Sequence, residues 1–342
     1  MDNTLDNLDI MMRVSVIVTV LNEGVAVKKL LDSLVAQHRR PDEVIIVDGG
    51  STDQTVSLIE QYQQHLPLRV IISPGANISQ GRNIAIEAAK GPIIASTDAG
   101  VRLSPVWLAE LLAPFEADEL PQVVSGFFVP DPQTTFEVAM GATVLPTLAD
   151  IDPQRFLPSS RSIAFTKAAW QAVAGYPVWL DFCEDLIFDF NLKDLVGSFV
   201  FAPKAVAHFR PRSNLRSFFK QYYQYARGDG KADLWRTRHA IRYLTYLLAW
   251  PLVIVVGIKI SLWIGLIGAM IGAGGMFLTV YKRLPTLWAG LSWGEKLAAM
   301  AWIPLIRITG DVAKMIGYPV GWAWRIKHLS NDPRLRWRLQ NR

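Results

Sequence analysis

The sequence predicts an α/β fold in which a mixed, mostly parallel sheet carries helices on both faces and is followed by C-terminal membrane helices. Three observations lead to this prediction. Short runs rich in valine and isoleucine alternate with amphipathic segments through residues 13–100, which is typical of strands alternating with helices. These runs are almost continuously apolar, as in strands covered on both faces. Beyond residue 236 the chain becomes strongly apolar, and the mean hydropathy of all 342 residues is +0.21.

The strands and helices of the N-terminal region can be assigned in chain order. Apolar runs predict strands at residues 13–21, 43–47, 68–72 and 92–96. The segments between them predict helices at residues 25–37, 51–63 and 81–90. Residues 101–235 are expected to continue the domain as a mixed α/β region that ends in a basic and aromatic interfacial segment.

Polar side chains follow the predicted strands at the points where the strands end. Thr19, Asn22 and Glu23 close the first strand, Asp48 closes the second, and Asp98 closes the fourth. Because ligands of largely parallel sheets bind at the carboxyl ends of the strands, these side chains predict a binding site at that edge.

The C-terminal third is predicted to attach the chain to a membrane. Residues 241–258 and 260–281 each approach the length that crosses a bilayer, and only Lys259 separates them. Basic residues flank both stretches, so the positive-inside rule predicts a multi-pass protein whose preceding domain is cytoplasmic. Residues 297–324 are apolar but interrupted by charges, and they predict an interfacial or re-entrant amphipathic pair.

These patterns divide the chain into four parts. They are a disordered leader at residues 1–12, an α/β domain at 13–235 with halves at 13–100 and 101–235, a transmembrane hairpin at 236–283, and amphipathic or interfacial helices with a basic tail at 284–342. The acidic leader does not have the pattern of a secretory signal peptide. Cys183 is the single cysteine, which excludes an internal disulfide framework and a cysteine-based zinc cluster. The net positive charge is concentrated in the tail, so we expect no nucleic-acid partner.

Five short motifs occur in order along the chain. They are VSVIVTVLNE at residues 14–23, VIIVDGGSTD at 44–53, Gly81-Arg82-Asn83, STDAG at 96–100 and Glu184-Asp185. This ordered set resembles the family 2 glycosyltransferases and covers about residues 13–230. The resemblance implies the GT-A fold, in which a nucleotide-binding layer is followed by an acceptor-binding half. It also implies transfer of a sugar from a nucleotide donor with inversion at the anomeric carbon.

The resemblance implies that the strand-end residues bind the nucleotide-sugar donor. Asp48 is assigned to the nucleotide base, Thr19, Asn22 and Glu23 to the same crevice, and Arg82 to the diphosphate. Ordinary structural interpretations stay open beside these roles. Asp48 fits an Asx turn with the following glycine. Glu23 fits an acid at a helix start, and Arg82 fits a surface arginine on an amphipathic helix.

The family's Asp-x-Asp element, whose two acids hold a divalent cation, is incomplete in this chain. Residues 98–100 read Asp-Ala-Gly, so only Asp98 corresponds to an acid of the element. A hard oxygen site suits Mg²⁺ or Mn²⁺, and His208 is a candidate second ligand. His208 is also consistent with a buried, hydrogen-bonded imidazole. Metal dependence therefore stays open at the level of the sequence.

The Glu184-Asp185 pair is the candidate for the catalytic base. Inverting transfer needs a carboxylate that accepts the proton of the acceptor hydroxyl. Because adjacent helical positions point in different directions, we expect one acid to act in the chemistry and the other to support it. The resemblance favours Asp185 as the base. The pair also fits an acidic helix N-terminus that the helix dipole stabilises.

Residues 224–228 are a partial version of the Gln-x-x-Arg-Trp motif of processive synthases in this family. Arg227 corresponds to the arginine of the motif and is a candidate ligand of the diphosphate, whereas Gly228 replaces the tryptophan. The missing tryptophan favours transfer of a single residue. The same segment also fits a basic, aromatic helix at the lipid headgroups.

The sequence therefore predicts a membrane-anchored glycosyltransferase, a hexosyl or related transferase, that acts in the synthesis of cell-envelope polysaccharide or glycolipid. Its expected partners are a nucleotide-sugar donor, a lipid-linked or glycan acceptor, and membrane lipids. Two alternatives stay open. One is a processive polysaccharide synthase, and the other is a degenerate, non-catalytic transferase that serves as a membrane partner protein.

Overall fold

The computed structural model describes residues 12–117 and 120–337. The predicted disordered leader therefore lies outside the described residues, apart from Met12, and so do the last five residues of the basic tail. The described chain divides into two compact units. The first unit contains the residues up to 131 together with residues 148–210, and the second contains residues 132–147 and the residues from 211 onward.

The strands and helices have the following bounds. The strands are β1 (Val14–Val20), β2 (Glu43–Asp48), β3 (Leu68–Ile72), β4 (Ile93–Ser96), β5 (Val101–Leu103), β6 (Val123–Pro130), β7 (Ile163–Thr166) and β8 (Val200–Phe209). The helices are α1 (Val27–Val35), α2 (Thr55–Glu60), α3 (Ile78–Ala88), α4 (Trp107–Leu112), α5 (Thr135–Val144), α6 (Lys167–Ala172), α7 (Glu184–Val196), α8 (Leu215–Ala232), α9 (Arg236–Lys259), α10 (Leu262–Arg283) and α11 (Trp293–His328).

The first unit is built on an eight-stranded sheet with the order β3-β2-β1-β4-β7-β6-β8-β5. The strands β3, β2, β1 and β4 run parallel to one another, and β6 and β8 are also a parallel pair. β7 runs antiparallel to β4 and β6, and β5 runs antiparallel to β8. The predicted class, a mixed and mostly parallel sheet with helices on both faces, is confirmed, and so are the four predicted strands.

Both faces of this sheet are covered, as the apolar runs predict. Successive residues of β1, Val16 and Ile17, are fully buried and belong to two different apolar clusters. Ile46 and Ile45 of β2 divide between the same two clusters. Since neighbouring side chains of a strand point to opposite faces, each face packs against its own layer of helices.

The helix α3 begins three residues earlier than the sequence predicts, because Asn77 caps it. The side chain of Asn77 accepts a hydrogen bond from the Gln80 N–H at 2.9 Å, and the Gln80 side chain accepts one from the Asn77 N–H at 2.9 Å. Gly81 therefore lies inside the helix. A Cβ atom there would lie 2.8 Å from Cγ2 of Thr19, so the glycine lets α3 pack closely on β1.

The second unit contains α5 and the helices from α8 onward. Apolar side chains of α5, α8 and α11 form one buried cluster, which includes Met140, Phe218 and Ile303. α8 and α11 approach very closely at glycines. A Cβ atom at Gly317 or Gly321 would collide with a backbone carbonyl of α8. Residues 132–147 pack in this cluster and belong to the second unit.

Two sequence expectations concern helices of this unit. The predicted interfacial segment forms α8, whose Phe218 is 1% exposed and packs in the buried cluster, and its interfacial role stays a prediction. Residues 297–324, expected to form an amphipathic pair, lie in the single helix α11, which continues through Pro304 and Pro319. A capping box between Ser292 and Glu295 starts this helix.

Within the described residues, two helices are long and apolar enough to cross a membrane. They are Arg236–Lys259 and Leu262–Leu287, the second of which includes α10 and the turn after it. Large apolar side chains on both are exposed, for example Ile258 at 74% and Trp263 at 75%. A Cβ atom at Gly265 would collide with Gly257, so the two helices pack closely near the turn that joins them.

Candidate active site

The loop that follows β2 is folded around the carboxylate of Asp48. This side chain is 1% exposed, and its Oδ2 accepts hydrogen bonds from the N–H groups of Gly50 at 3.0 Å and Ser51 at 2.8 Å. Its Oδ1 accepts from the Ser51 hydroxyl. The Asx-turn interpretation of Asp48 is thus realised in the structure, and these bonds fix the carboxylate at the carboxyl end of β2.

The loop after β1 is tied to the loop after β2. Asn22 has a positive φ of 54°, and its Oδ1 accepts a hydrogen bond from the Thr52 N–H at 2.9 Å. The Asn22 N–H donates to the Ser51 hydroxyl at 2.8 Å. The carbonyl of Glu23 accepts from Ala26 at 3.1 Å in the turn that leads into α1. Register places Val20 beside Asp48, so these loops lie at the same edge of the sheet.

Arg82, on α3, is the centre of the site. It is 3% exposed, and its guanidinium donates to Oε1 of Glu184 at 2.7 Å and to Oδ1 of Asp98 at 2.9 Å. The guanidinium also lies over the ring of Tyr176, 5.1 Å from its centre. The interpretation as a surface arginine is therefore wrong, because Arg82 joins the end of β4 to the start of α7 from a buried position.

The neighbour of Arg82 explains how α7 is brought to this edge. Asn83 Oδ1 accepts from the Tyr176 N–H at 2.9 Å and from the Trp170 indole at 3.1 Å, while its Nδ2 donates to the Tyr176 carbonyl at 2.9 Å. These bonds hold the turn at Gly175, whose φ is +72°. In this motif Gly81 allows close packing, Arg82 pairs with two carboxylates and Asn83 holds the turn.

Glu184 and Asp185 form the first turn of α7, as predicted. Glu184 is 6% exposed and is held by Arg82, whereas Asp185 Oδ1 accepts from the Leu186 N–H at 2.9 Å. Burial and the neighbouring Asp185 carboxylate raise the pKa of Glu184 to about 7, although Arg82 opposes this rise. Burial also raises the pKa of Asp185, against the lowering effects of Arg82 and Arg161. Burial therefore favours the protonated form of both acids relative to an exposed carboxyl.

Sequence reasoning missed two charged residues of this site. Arg161 pairs through Nε with Oδ2 of Asp98 at 3.1 Å. Asp189 is 1% exposed, and neither of its carboxylate oxygens has a hydrogen-bond partner in the described structure. Burial raises the pKa of Asp189 well above its ordinary value, and so does the charge of Asp185. Asp189 lies four residues after Asp185, on the same face of α7, and this spacing could have identified it from the sequence.

The remaining predicted site residues are not joined to this cluster by a described contact. His208, on β8, has Arg102 and Asp131 as its charged neighbours, and burial lowers its pKa. Asp98 instead has Arg82 and Arg161 beside it. The described contacts therefore do not support a metal site shared by His208 and Asp98. Arg227 lies on α8 of the second unit, and its predicted role stays a prediction.

The N-terminal part of the chain is similar to known glycosyltransferases. Residues 15–171 match the family model described as glycosyl transferase family 2. The chain is 31% identical over 109 residues to the uncharacterized glycosyltransferase YibD of Escherichia coli strain K12, a match that covers 32% of this chain and 32% of YibD. It is 35% identical over 92 residues to the poly(ribitol-phosphate) beta-N-acetylglucosaminyltransferase TarS of Staphylococcus aureus, covering 26% of this chain and 16% of TarS.

A solved structure supports the fold. The mannosyltransferase PcManGT from Pyrobaculum calidifontis, solved with GDP-Man and Mn²⁺, aligns with a TM-score of 0.53 at 18% identity, covering 94% of this chain and 88% of that one. The fold is of the GT-A class, and the family model identifies a glycosyltransferase domain. Residues 15–171 therefore carry a glycosyltransferase family 2 domain. The match spans about a third of the length of the first curated relative.

Proposed function

We propose that this chain transfers a single sugar residue from a nucleotide-sugar donor to a membrane-associated acceptor, with inversion at the anomeric carbon. The observation that carries the proposal is the cluster in which Arg82 joins Asp98 to Glu184 at the carboxyl edge of the sheet. Beside it, Asp48 is fixed at the end of a strand, where its carboxylate can accept a hydrogen bond from a nucleotide base or ribose. Relatives of known function in the comparison transfer sugars, and GDP-Man is bound in the PcManGT structure.

In this mechanism Asp185 is the general base. Its carboxylate accepts the proton of the acceptor hydroxyl while that oxygen forms a bond to the anomeric carbon. The bond from the anomeric carbon to the diphosphate breaks at the same time, and the nucleoside diphosphate leaves with its electron pair. Burial raises the pKa of Asp185, which brings it closer to the working pH and makes it a better base. Glu184 supports it by holding Arg82 at 2.7 Å.

The test of this mechanism compares three variants of α7. Asp185→Asn is expected to lower the turnover rate by about 10²–10⁴, the usual effect of losing a general base, while donor affinity stays within a few-fold. Asp194→Asn is the matched control, because it makes the same change at an exposed position of the same helix. Near-normal turnover in Asp185→Asn would contradict the assignment, and Glu184→Gln would then identify whether the neighbouring acid is the base.

We further propose that α9 and α10 span the membrane and hold the catalytic unit on its cytoplasmic side, near a lipid-linked acceptor. Their length, their exposed apolar surface and their basic flanks support this topology. Cysteine labelling tests it in a Cys183→Ala background. A cysteine at Ser261, in the turn between the helices, should react with an impermeant reagent added outside intact cells. A cysteine at Ser292 should react only after the membrane is permeabilised. The reverse pattern would refute the cytoplasmic orientation of the catalytic unit.

A further inference from the structure

The carboxylate of Asp98 is already neutralised by two guanidinium groups. Arg82 binds Oδ1 at 2.9 Å, and Arg161 binds Oδ2 at 3.1 Å. The sheet register explains the second contact. β4 and β7 are antiparallel with Ser96 beside Ile163, so two further residues along each strand Asp98 comes opposite Arg161. Both oxygens of the carboxylate that corresponds to the family's metal-binding element therefore face cations.

This arrangement does not fit a divalent cation. Mg²⁺ or Mn²⁺ on Asp98 would lie next to two guanidinium charges, and it would have to displace them from the oxygens that it binds. The next two residues, Ala99 and Gly100, offer no side-chain oxygen. Among the described residues, no group of three or more His, Cys, Asp or Glu side chains is placed to hold a metal ion.

We infer that this chain binds the diphosphate of its donor without a divalent cation, and that the guanidinium of Arg161 supplies the positive charge that a metal ion provides elsewhere. The inference rests on the proposed function. Arg161 suits this role better than Arg82 does. The side chain of Arg82 is 4% exposed and is held by Glu184, whereas that of Arg161 is 21% exposed.

The surroundings of Arg161 also orient it for this purpose. Its guanidinium lies over the ring of Phe209, 4.4 Å from the centre, and 5.9 Å from the centre of the Phe128 ring. Stacking on an aromatic ring fixes the plane of a guanidinium, and its planar fork of N–H groups matches phosphate oxygens. A guanidinium held in this way stabilises the charge that develops on the diphosphate as the sugar leaves, without reorganising during the reaction.

The experiment measures binding of UDP and GDP to the purified full chain by calorimetry, once with EDTA and once with Mn²⁺. We expect affinities that agree within about three-fold between the two conditions. Arg161→Ala should weaken binding by about 10- to 100-fold in EDTA, the range for losing a charge-assisted hydrogen bond. Arg102→Ala is the matched control, because Arg102 is 44% exposed, pairs with Asp131 at 3.6 Å and is expected to leave affinity unchanged.

Asp98→Asn gives the sharpest distinction, since the two accounts predict changes of opposite sign. If guanidinium groups bind the diphosphate, removing the negative charge should preserve or tighten binding in EDTA. If a metal ion binds it, the wild type should bind only with Mn²⁺, and the same change should abolish that binding. Thermal unfolding of each variant checks that it is folded. Binding that requires Mn²⁺, or an Arg161→Ala variant with unchanged affinity, would overturn the inference. Failure of the wild-type chain to bind either nucleotide under both conditions would refute the proposed function, and the inference with it.

Discussion

Replacing Arg82 with methionine would remove the buried cation that joins α3 to β4 and α7. Methionine keeps most of the apolar stem of the arginine side chain, so the effect of the substitution comes mainly from the lost charge. The side chain of Glu184 is 8% exposed and would lose its partner at 2.7 Å, while Asp98 would keep only Arg161. Removing one member of a buried ion pair typically destabilises a protein by about 3–5 kcal/mol. For a unit of this size, that corresponds to a melting temperature lower by about 6–20 °C.

The stability lost in Arg82→Met, called the deficit below, should also depend on pH. The pKa of Glu184 is raised to about 7, so the folded wild-type chain binds the proton more tightly than the unfolded chain does, and its stability falls as pH rises through 7. In Arg82→Met the opposing effect of the guanidinium is lost and the pKa of Glu184 rises further. A protonated Glu184 needs no cation. The deficit should therefore be smallest near about pH 5 and should grow as the pH rises past 7.

Thermal unfolding of the full chain in detergent measures this deficit, and hydrogen exchange of peptides from α7 locates it in the first unit. Arg102→Met is the control, because its partly exposed pair with Asp131 should contribute less than about 1 kcal/mol. If Arg82→Met melts at the same temperature as Arg102→Met, or if its deficit does not change with pH, the buried charge cluster does not have the energetic role assigned to it.

Three further changes have defined outcomes. Asp48→Ala should destabilise the chain by about 1–3 kcal/mol, since three turn hydrogen bonds lose their acceptor, and should weaken nucleotide binding in the same calorimetric assay. Asp189→Asn should raise the melting temperature at alkaline pH but not at acidic pH, because the pKa of the buried carboxyl is raised and its ionisation destabilises the folded state as pH rises. Gly321→Ala should lower stability by at least about 1–3 kcal/mol, because its Cβ would meet the Arg227 carbonyl, whereas Gly294→Ala meets nothing and should not.

The apolar pattern predicted the sheet well because strands that are buried on both faces leave a strong signal. β1 to β4 appear where continuous valine and isoleucine runs predict them. The motif order also located the residues at the strand ends. The start of α3 was less predictable, because it is set by the capping box of Asn77 and Gln80, which precedes the Gly81-Arg82-Asn83 motif.

The charge partners in the site could not be predicted from the sequence. Arg82 and Glu184 lie 102 positions apart and meet only because the turn at Gly175 and the packing of α7 bring them together. Arg161 belongs to no motif, and its contact with Asp98 depends on the antiparallel pairing of β4 with β7. The composition of α8 likewise does not reveal that its Phe218 packs with residues of α5 and α11, which come from distant parts of the chain.

An active glycosyltransferase whose base is Asp185 should release nucleoside diphosphate from its donor, and this release can be measured. The purified full chain would be incubated in lipid vesicles with a panel of nucleotide sugars, among them UDP-GlcNAc and GDP-Man, and the freed UDP or GDP would be quantified. We expect release from at least one donor, a rate lower by about 10²–10⁴ in Asp185→Asn, and an unchanged rate in Asp194→Asn. Release from none of the donors, or equal release by wild type and Asp185→Asn, would contradict the account.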